Sequence, residues 1–323
     1  MFGALLALAS AAFFGLNSAA SRRGLVTATV LQGMAITVPL GVPIFIGFAA
    51  LMGGFDAIAN WGLAPWIWMT LAGIVHFVIG RYGNYRATQA LGATLSTPIQ
   101  QASVLVALVL AFLFLDETIN LANLIGIALV ILGPLMVVRR RSAATKTGRD
   151  KGFEPDYGPG LFWGTVCAFG YGVSPLFIAL GIGDGGISDS VGGLLVSYVA
   201  ATVVVVAWLS ALGDREVVTG TDRMTRLWFL LSGLFVALSQ FFRYLALAVA
   251  PVAVVVPIQR LSVVFRLIFN AILNRQHEVF DRWVIISILL SVLGAVVLAA
   301  DTVTLLDWAG LGRHAVWLAR PLF

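Results

Sequence analysis

Apolar stretches of about 20 residues recur along the sequence, and each is long enough for a helix to cross a bilayer. They lie at about residues 3–20, 28–52, 65–86, 93–115 and 120–138, and then at about 159–180, 190–212, 226–248, 252–273 and 282–300. Apolar residues make up 60% of the 323, and charged residues only 11%. Since a soluble fold needs more polar side chains to coat its surface, the expected fold class is an all-α integral membrane protein with ten transmembrane helices.

Charged residues lie mainly in the short stretches between the expected spans. A net charge of +5 alone would fit a nucleic-acid partner, but basic residues between apolar spans follow the positive-inside bias of membrane proteins. We therefore expect a multi-pass protein of the cell inner membrane that contacts membrane lipid and has no nucleic-acid partner. The single cysteine, Cys167, cannot form an intrachain disulfide.

The two halves of the sequence repeat each other. Residues 97–104 read TPIQQASV and residues 256–263 read VPIQRLSV, which aligns Pro98 with Pro257. In the opening spans, AFFG at residues 12–15 aligns with FGYG at residues 169–172. Because five spans is an odd number, the second copy begins on the opposite side of the membrane, which predicts two inverted five-helix repeats. Inverted repeats recur among secondary carriers; a duplicated membrane anchor without transport is the alternative.

These features divide the chain into four expected parts. They are a first repeat at residues 1–138, a basic polar linker at 139–157, a second repeat at 158–301 and an interfacial tail at 302–323. The linker opens with three consecutive arginines, and the tail mixes tryptophans and leucines with arginines, which suits a short helix in the headgroup region. A disordered end is the other interpretation of the tail.

The arginines also predict an orientation. Arg22 and Arg23, the linker and the connections that contain Arg223 and Arg282 fall at one end of the bundle, whereas Asp56 and several other acidic residues fall at the opposite end. By the positive-inside rule the arginine-rich end is cytoplasmic, which leaves both termini outside.

Two five-helix repeats, each with a proline in its fourth helix and an acidic residue near the start of its fifth (Phe114-Leu115-Asp116-Glu117-Thr118 in the first), resemble the EamA-type branch of the drug/metabolite transporter superfamily. The resemblance covers nearly the whole chain. It implies a central cavity lined by the first, third and fourth helices of each half, with alternating access between two faces. The second copy departs from the pattern at Asn274-Arg275-Gln276-His277-Glu278. Arg260 and Arg266 are also unusual for exporters of neutral or cationic compounds.

Polar side chains inside the spans are the candidate binding residues, because an ionisable group in a bilayer costs about 2.5–3.5 kcal/mol on insertion scales. Helical spacing puts the members of each set on one face. The sets are Arg81, Asn84 and Tyr85 in the third span, Gln240, Arg243 and Tyr244 in the eighth, and Gln100, Gln259 and Arg260 in the fourth and ninth. The alternative is that the arginines reach the headgroups and bind no ligand.

The expected substrate follows from the absence of acidic residues inside the spans. Acidic residues such as Asp56, Asp116, Glu117, Asp184 and Asp189 all lie at span ends, so no fixed carboxylate inside a span can balance the arginines. A small anionic or zwitterionic metabolite is the natural partner, since a guanidinium binds a carboxylate or phosphate through two parallel hydrogen bonds. A flippase for an anionic lipid headgroup, an exporter of amino acids or drugs, and a membrane scaffold or sensor are the alternatives.

Two further features could serve transport. Pro98 and Pro257 each remove a backbone hydrogen bond inside a span; such helix breaks commonly flank carrier sites, although a packing kink is the simpler interpretation. His76 is the one intramembrane group that could carry a proton near neutral pH, with a hydrogen-bonded structural histidine as the alternative.

Enzymatic chemistry is not indicated. The sequence has no phosphate-binding Gly-x-x-x-x-Gly-Lys-Ser/Thr loop, no Cys/His metal set and no nucleophile–base pairing. We therefore expect no enzyme, no cofactor and no metal, and a monomer or homodimer.

Overall fold

The computed structural model describes residues 2–114, 120–144, 153–183, 185–213, 217, 220–249, 258–259, 261–278 and 282–299, with single residues at 303, 307 and 310. The first half contains α1 (Phe2–Leu25), α2 (Val30–Thr37), α3 (Gly41–Leu51), α4 (Gly54–Ala59), α5 (Leu63–Gly73), a π-helical segment (Ile74–Gly80), α6 (Arg81–Gln101), α7 (Ser103–Phe114) and α8 (Leu121–Ala144). The second contains α9 (Tyr157–Ile182), α10 (Ile187–Leu212), α11 (Arg223–Val249), α12 (Ser262–Leu273), a 3₁₀ turn (Arg275–His277) and α13 (Arg282–Ala299).

Six helical stretches among the described residues are long and apolar enough to cross a membrane. They are Phe2–Gly24, Val30–Leu51, Leu63–Ala107, Tyr157–Ile182, Ile187–Leu212 and Arg223–Arg243. The all-α, multi-pass membrane class is therefore confirmed. The ten-helix inverted repeat stays a prediction, and the interfacial tail lies almost wholly outside the described residues.

The longest of these stretches, Leu63–Ala107, contains a chain reversal at Gly92. A straight helix of its 45 residues would measure about 68 Å at 1.5 Å per residue, more than twice the ~30 Å hydrocarbon core. Gly92 has φ 81° and ψ 163°, a conformation that is essentially reserved for glycine. The reversal separates the expected third and fourth spans, 65–86 and 93–115.

Three helix boundaries differ from the expected spans. The second span divides between α2 and α3 at Pro39, which cannot donate a backbone hydrogen bond. The fourth span divides at Ala102, between α6 and α7. The fifth continues as α8 to Ala144, past the expected start of the linker at residue 139, because arginine and alanine favour helices and cations are stabilised at a helix C-terminus.

Helices that occupy equivalent places in the two halves make equivalent contacts. α1 packs against α11 and α12, whereas α9 packs against α5, α6 and α7. A Cβ atom on Gly15 of α1 would lie 2.6 Å from the Cβ of Phe265, and one on Gly172 of α9 would lie 2.5 Å from the Cβ of Val106. Gly15 and Gly172 occupy the same position in the aligned halves, so each half crosses the other at a glycine.

The connections gather at two ends. At the arginine-rich end, the Thr27 and Thr225 hydroxyls are 2.7 Å apart, and the Asp156 N–H donates to the Ala90 carbonyl at 2.8 Å. At the opposite end, the Trp61 indole donates to Asp189 at 2.9 Å. These contacts join connections that belong to the same expected end; the orientation itself stays a prediction.

Candidate functional site

A cavity of about 170 Å³ lies where α1, α9, α11 and α12 meet the π-helical segment and the α6–α7 break. Its walls include Ser10, Ala11 and Phe14 from α1, Tyr171 and Ser174 from α9, Ser239, Gln240 and Arg243 from α11, and Ser262, Val263 and Arg266 from α12, together with Gln259 just before it. The first half adds His76, Thr97, Gln100, Gln101, Ser103 and Ala107. The walls thus come from the first, third and fourth expected spans of both halves.

The structure brings five of the expected site residues to the cavity wall: His76, Gln100, Gln240, Arg243 and Gln259. Tyr244 follows Arg243 on α11. Arg260 and Pro257 lie outside the described residues. Arg81, Asn84 and Tyr85 are buried nearby but do not line the cavity.

Arg266 is the charged wall residue that the sequence left undecided. Its side chain is on α12, and the residue is only 5% exposed. One guanidinium nitrogen donates to Thr97 Oγ1 at 3.0 Å and to Gln100 Oε1 at 2.9 Å, and the guanidinium carbon lies 5.9 Å from the centre of the Phe14 ring. All of these partners are neutral, so the described contacts leave the charge of Arg266 unbalanced.

Arg243 is freer than Arg266. It is half-buried in α11 and faces the cavity. Among the residues that the structure describes, its guanidinium has neither a hydrogen-bond partner nor an ion-pair partner. A guanidinium carries five N–H donors in a planar fork, so Arg243 offers the cavity a complete anion-binding group.

Other free groups on the wall are also donors. The amide nitrogens of Gln101 and Gln259 are buried and have no hydrogen-bond partner among the described residues. Leaving a buried donor unsatisfied costs about 1–3 kcal/mol. A ligand that supplies acceptor oxygens would satisfy these two amides together with Arg243.

Asn84 and Gln100 hold the wall in place. The Gln100 amide nitrogen donates to Asn84 Oδ1 at 2.9 Å while Gln100 Oε1 accepts from Arg266. Asn84 in turn donates to the Tyr171 hydroxyl at 3.2 Å. Asn84 therefore supports Gln100 and Tyr171 from behind the wall, whereas the sequence placed it among the residues that contact substrate.

His76 lies in the π-helical segment, a geometry that is frequent at functional sites. Its Nδ1 is 2.8 Å from the Ser174 hydroxyl, and its ring stacks on Tyr171 with centroids 4.5 Å apart. The side chain thus has a hydrogen-bond partner, as the structural interpretation of this histidine expects, and it also borders the cavity.

Arg81 and Tyr85 face α2 instead of the cavity. Arg81 donates to the Thr37 carbonyl at 3.3 Å and lies 5.2 Å from the centre of the Phe77 ring. The Tyr85 hydroxyl donates to Thr37 Oγ1 at 3.1 Å. These contacts direct both side chains toward Thr37, so the expected set of Arg81, Asn84 and Tyr85 does not line the cavity.

Pro98 lies inside α6, four residues before the break at Ala102 that divides α6 from α7. Thr97 and Gln100, which hold Arg266, stand on either side of Pro98 in the sequence. The proline therefore sits in the segment that carries the contacts of Arg266.

The described cavity wall combines charged and polar side chains. It contains two arginines, several amides and hydroxyls, and no carboxylate among its described residues. Over the described part of the chain, no group of three or more His, Cys, Asp or Glu side chains could hold a metal ion. The wall is thus positively charged and rich in hydrogen-bond donors.

Comparisons with known proteins agree with a transport fold. Residues 1–139 match the EamA-like transporter family, which confirms the resemblance inferred from the sequence for that part of the chain. A stretch of 136 residues is 26% identical to the Probable magnesium transporter NIPA2 of Arabidopsis thaliana, over 42% of this chain. That match spans 34% of the plant protein's own length. A solved crystal structure of another protein aligns over 91% of this chain and 95% of its own, with a TM-score of 0.56 and 14% identity, a likeness of fold alone.

Proposed function

We propose, because residues 1–139 match the EamA-like transporter family, that the chain is a secondary carrier for a small anionic or zwitterionic organic metabolite. It works as an exporter or exchanger in the cell inner membrane. The two halves alternate the access of the central cavity between the two faces, as inverted repeats do in other carriers.

The observation that carries this proposal is the pair of arginines without a carboxylate. Arg243 and Arg266 both line the cavity, and their described contacts are to neutral groups or to none. An isolated charge in a low-dielectric site is costly unless it is paired. A carboxylate or phosphate on the substrate would provide that pairing through charge-assisted hydrogen bonds.

The size of the cavity limits the substrate. Its volume is about 170 Å³, close to the ~150 Å³ engineered cavity that holds one benzene molecule. A metabolite of roughly six to ten non-hydrogen atoms fits this space on the same scale. Phe14, Ala107 and Val263 border the cavity beside the polar groups, so a short carbon chain with one anionic end suits both parts of the wall.

The repeated packing supports alternating access. Gly15 and Gly172 let α1 and α9 approach the opposite half closely, and the same three spans of each half supply the cavity walls. Two similar units that cross at a central site can rock against each other around that site. An inert scaffold would have no use for a charged cavity at this crossing.

Magnesium is the second candidate, because one relative is described as a probable magnesium transporter. A hard divalent cation takes oxygen ligands, mainly carboxylates, carbonyls and waters. Arg243 and Arg266 would repel it, and no carboxylate lines the described cavity wall. The chemistry of the site therefore favours the anion.

Counterflow in proteoliposomes separates these candidates. Vesicles containing the protein are loaded with one unlabelled solute and tested for accumulation of the labelled one, across carboxylates, phosphates, amino acids, lipophilic cations and Mg²⁺. We expect accumulation of one or more small anions or zwitterions and none of Mg²⁺. Movement of Mg²⁺ or lipophilic cations alone would overturn the proposal.

The same vesicles test the flippase and scaffold alternatives. A fluorescent anionic lipid that becomes accessible from the outer leaflet only when the protein is present would indicate a flippase. If no solute or lipid moves and no solute raises the melting temperature, the cavity binds nothing, contrary to the linkage expected for a binding protein.

A further inference from the structure

A buried ion pair lies away from the cavity, at the arginine-rich end. Arg22 Nε is 3.0 Å from Glu278 Oε1, and the two side chains are 2% and 0% exposed. The guanidinium also donates to the Thr88 carbonyl at 3.0 Å and to the His277 carbonyl. The ring of Phe153 covers the guanidinium, with its centre 4.4 Å from the guanidinium carbon.

Glu278 also makes a second set of contacts, with the backbone. Its two oxygens accept hydrogen bonds from the backbone N–H groups of Ala93 and Thr94 at 2.6 and 2.7 Å. These N–H groups follow the reversal at Gly92, where a new helical segment starts and free donors are exposed. The carboxylate thus caps the start of the fourth span while it binds Arg22.

These contacts join the two halves of the chain. Arg22 belongs to α1 and Ala93 and Thr94 to α6, all in the first half, whereas Glu278 follows the 3₁₀ turn in the second half. One carboxylate therefore ties together two elements of the first half and the connection between α12 and α13. Any motion that separates the halves at this end must break its contacts.

A line of buried polar groups runs from the cavity toward this ion pair. On α12, the Asn270 amide donates to the Arg266 carbonyl, and the Asn274 amide, at the end of the helix, donates to Asn270 Oδ1, both at 2.9 Å. Asn274 also donates to the Ala19 carbonyl of α1 at 2.9 Å. The eight helical steps from Arg266 to Asn274 span about 12 Å along the helix. A shift of α12 caused by a ligand at Arg266 would therefore act directly on the elements that hold Glu278.

We infer that the Arg22–Glu278 ion pair is the gate that keeps the cavity closed toward the arginine-rich end. In the closed form the two charges satisfy each other out of water. When the halves separate, water solvates both charges. This hydration offsets the loss of the ion pair, so opening and closing at this end are reversible. Loss of the pair should shift the population toward the form that is open at this end.

Cysteine labelling from the two membrane faces tests the gate. In a Cys167→Ser background, Ser262→Cys places the only thiol on the cavity wall. A membrane-impermeant methanethiosulfonate reagent is applied to right-side-out and to inside-out vesicles, with Glu278→Gln as the test variant. Glu154→Gln is the matched control, because Glu154 is an exposed acid at the same end.

We expect Glu278→Gln to raise labelling from the arginine-rich side about tenfold and to lower it from the opposite side, while Glu154→Gln labels like the background protein. Unchanged rates, or equal increases from both sides, would overturn the gate. If Glu278→Gln does not give a monodisperse protein, Arg22→Gln carries the same test, since it removes the ion pair from the other side while Glu278 keeps the N–H groups of Ala93 and Thr94.

The gate rests on the alternating access of the proposed function, but its test needs no substrate. Reciprocal labelling without transport of any anion would retain the gate and refute the substrate class. Transport of an anion with unchanged labelling would support the substrate class and refute the gate.

Discussion

Arg22 and Arg266 are both buried arginines, 2% and 5% exposed, but their surroundings differ. Arg22 has a fixed carboxylate, Glu278, at 3.0 Å. Arg266 has only the neutral oxygens of Thr97 and Gln100, and its neighbour in the cavity, Arg243, has no described partner. Arg22 therefore has a fixed counter-charge where two elements are held together, whereas the two cavity arginines have none among the described residues.

The difference shows how burial of a charge can be interpreted. A paired arginine is a structural element, and removing its partner strands a charge. A cavity arginine without a counter-charge destabilises the empty protein, and an anionic ligand can offset that destabilisation. Breaking the pair should therefore lower the stability of the protein, whereas removing an unpaired cavity arginine should lower its affinity for ligand.

The largest expected effect is on the paired arginine. Glu278→Ala leaves Arg22 buried without its carboxylate and frees the N–H groups of Ala93 and Thr94, so we expect a loss of about 3–5 kcal/mol in the free energy of unfolding. The melting temperature in detergent measures this loss. Glu154→Ala is the control, and equal melting of the two variants would contradict the structural role of the pair.

A smaller loss of stability is expected at the reversal beside Glu278. In Gly92→Ala the residue would keep a strained backbone, and its Cβ would lie 2.9 Å from a Glu278 oxygen. We expect a cost of about 1–3 kcal/mol, read as a lower melting temperature. Gly47→Ala is the control, because a Cβ there meets no atom within 4 Å. A melting temperature for Gly92→Ala as high as that of the control would show that the reversal tolerates a side chain.

The support of Arg266 gives a prediction about binding. Gln100→Ala removes one of its two side-chain partners and the link to Asn84, so we expect anion affinity to fall about 5- to 10-fold, the equivalent of one hydrogen bond of ~1 kcal/mol. Isothermal titration with the anion found by counterflow measures it, with the exposed Gln276→Ala as control. Unchanged affinity would mean that Arg266 needs no support from Gln100.

The smallest effect concerns pH at the Arg22 end. Desolvation, together with repulsion from Arg22 and Arg23, lowers the pKa of His277 below its ordinary value of 6.5. The unfolded chain therefore binds the proton more strongly, so His277 makes stability fall as the pH drops below about 6.5. Melting temperatures between pH 7.5 and 5.5 should decline slightly less in His277→Gln. An equal decline in both proteins would show that His277 does not contribute to the pH dependence of stability.

The sequence predicted the all-α membrane class because apolar length alone defines a span. It could not predict the division of the second span at Pro39, since a proline in a span is compatible with either a kink or a break. The expected third and fourth spans put their connection at the correct place, around Gly92. The sequence could not predict the glycine-only backbone there or its contact with Glu278, because Glu278 is 186 positions away in the chain.

The candidate site was only partly predictable, for a related reason. Helical spacing indicates which residues share a face, as for Arg81 with Tyr85, but not which neighbour that face meets. The third span carries little amphipathic signal to orient it, whereas the helix that carries Arg266 is amphipathic. Arg81 therefore proved to face Thr37, whereas Arg266 proved to line the cavity. The alignment of the two halves, which pairs Gln100 with Gln259, predicted the site more reliably, because both residues line the cavity.

The most direct test of the central claim compares anion binding with stability in Arg243 variants. Titration and melting are measured for the wild type, Arg243→Ala, Arg243→Lys and Arg223→Ala, the last being an exposed arginine of the same helix. We predict that Arg243→Ala loses about 1.5–3 kcal/mol of binding free energy and that Arg243→Lys loses less, because the lysine keeps the charge but not the planar fork. The empty Arg243→Ala protein should melt at or above the wild-type temperature, and Arg223→Ala should bind normally. If Arg243→Ala melts much lower yet binds the anion with normal affinity, Arg243 is a structural residue and the anion site is contradicted.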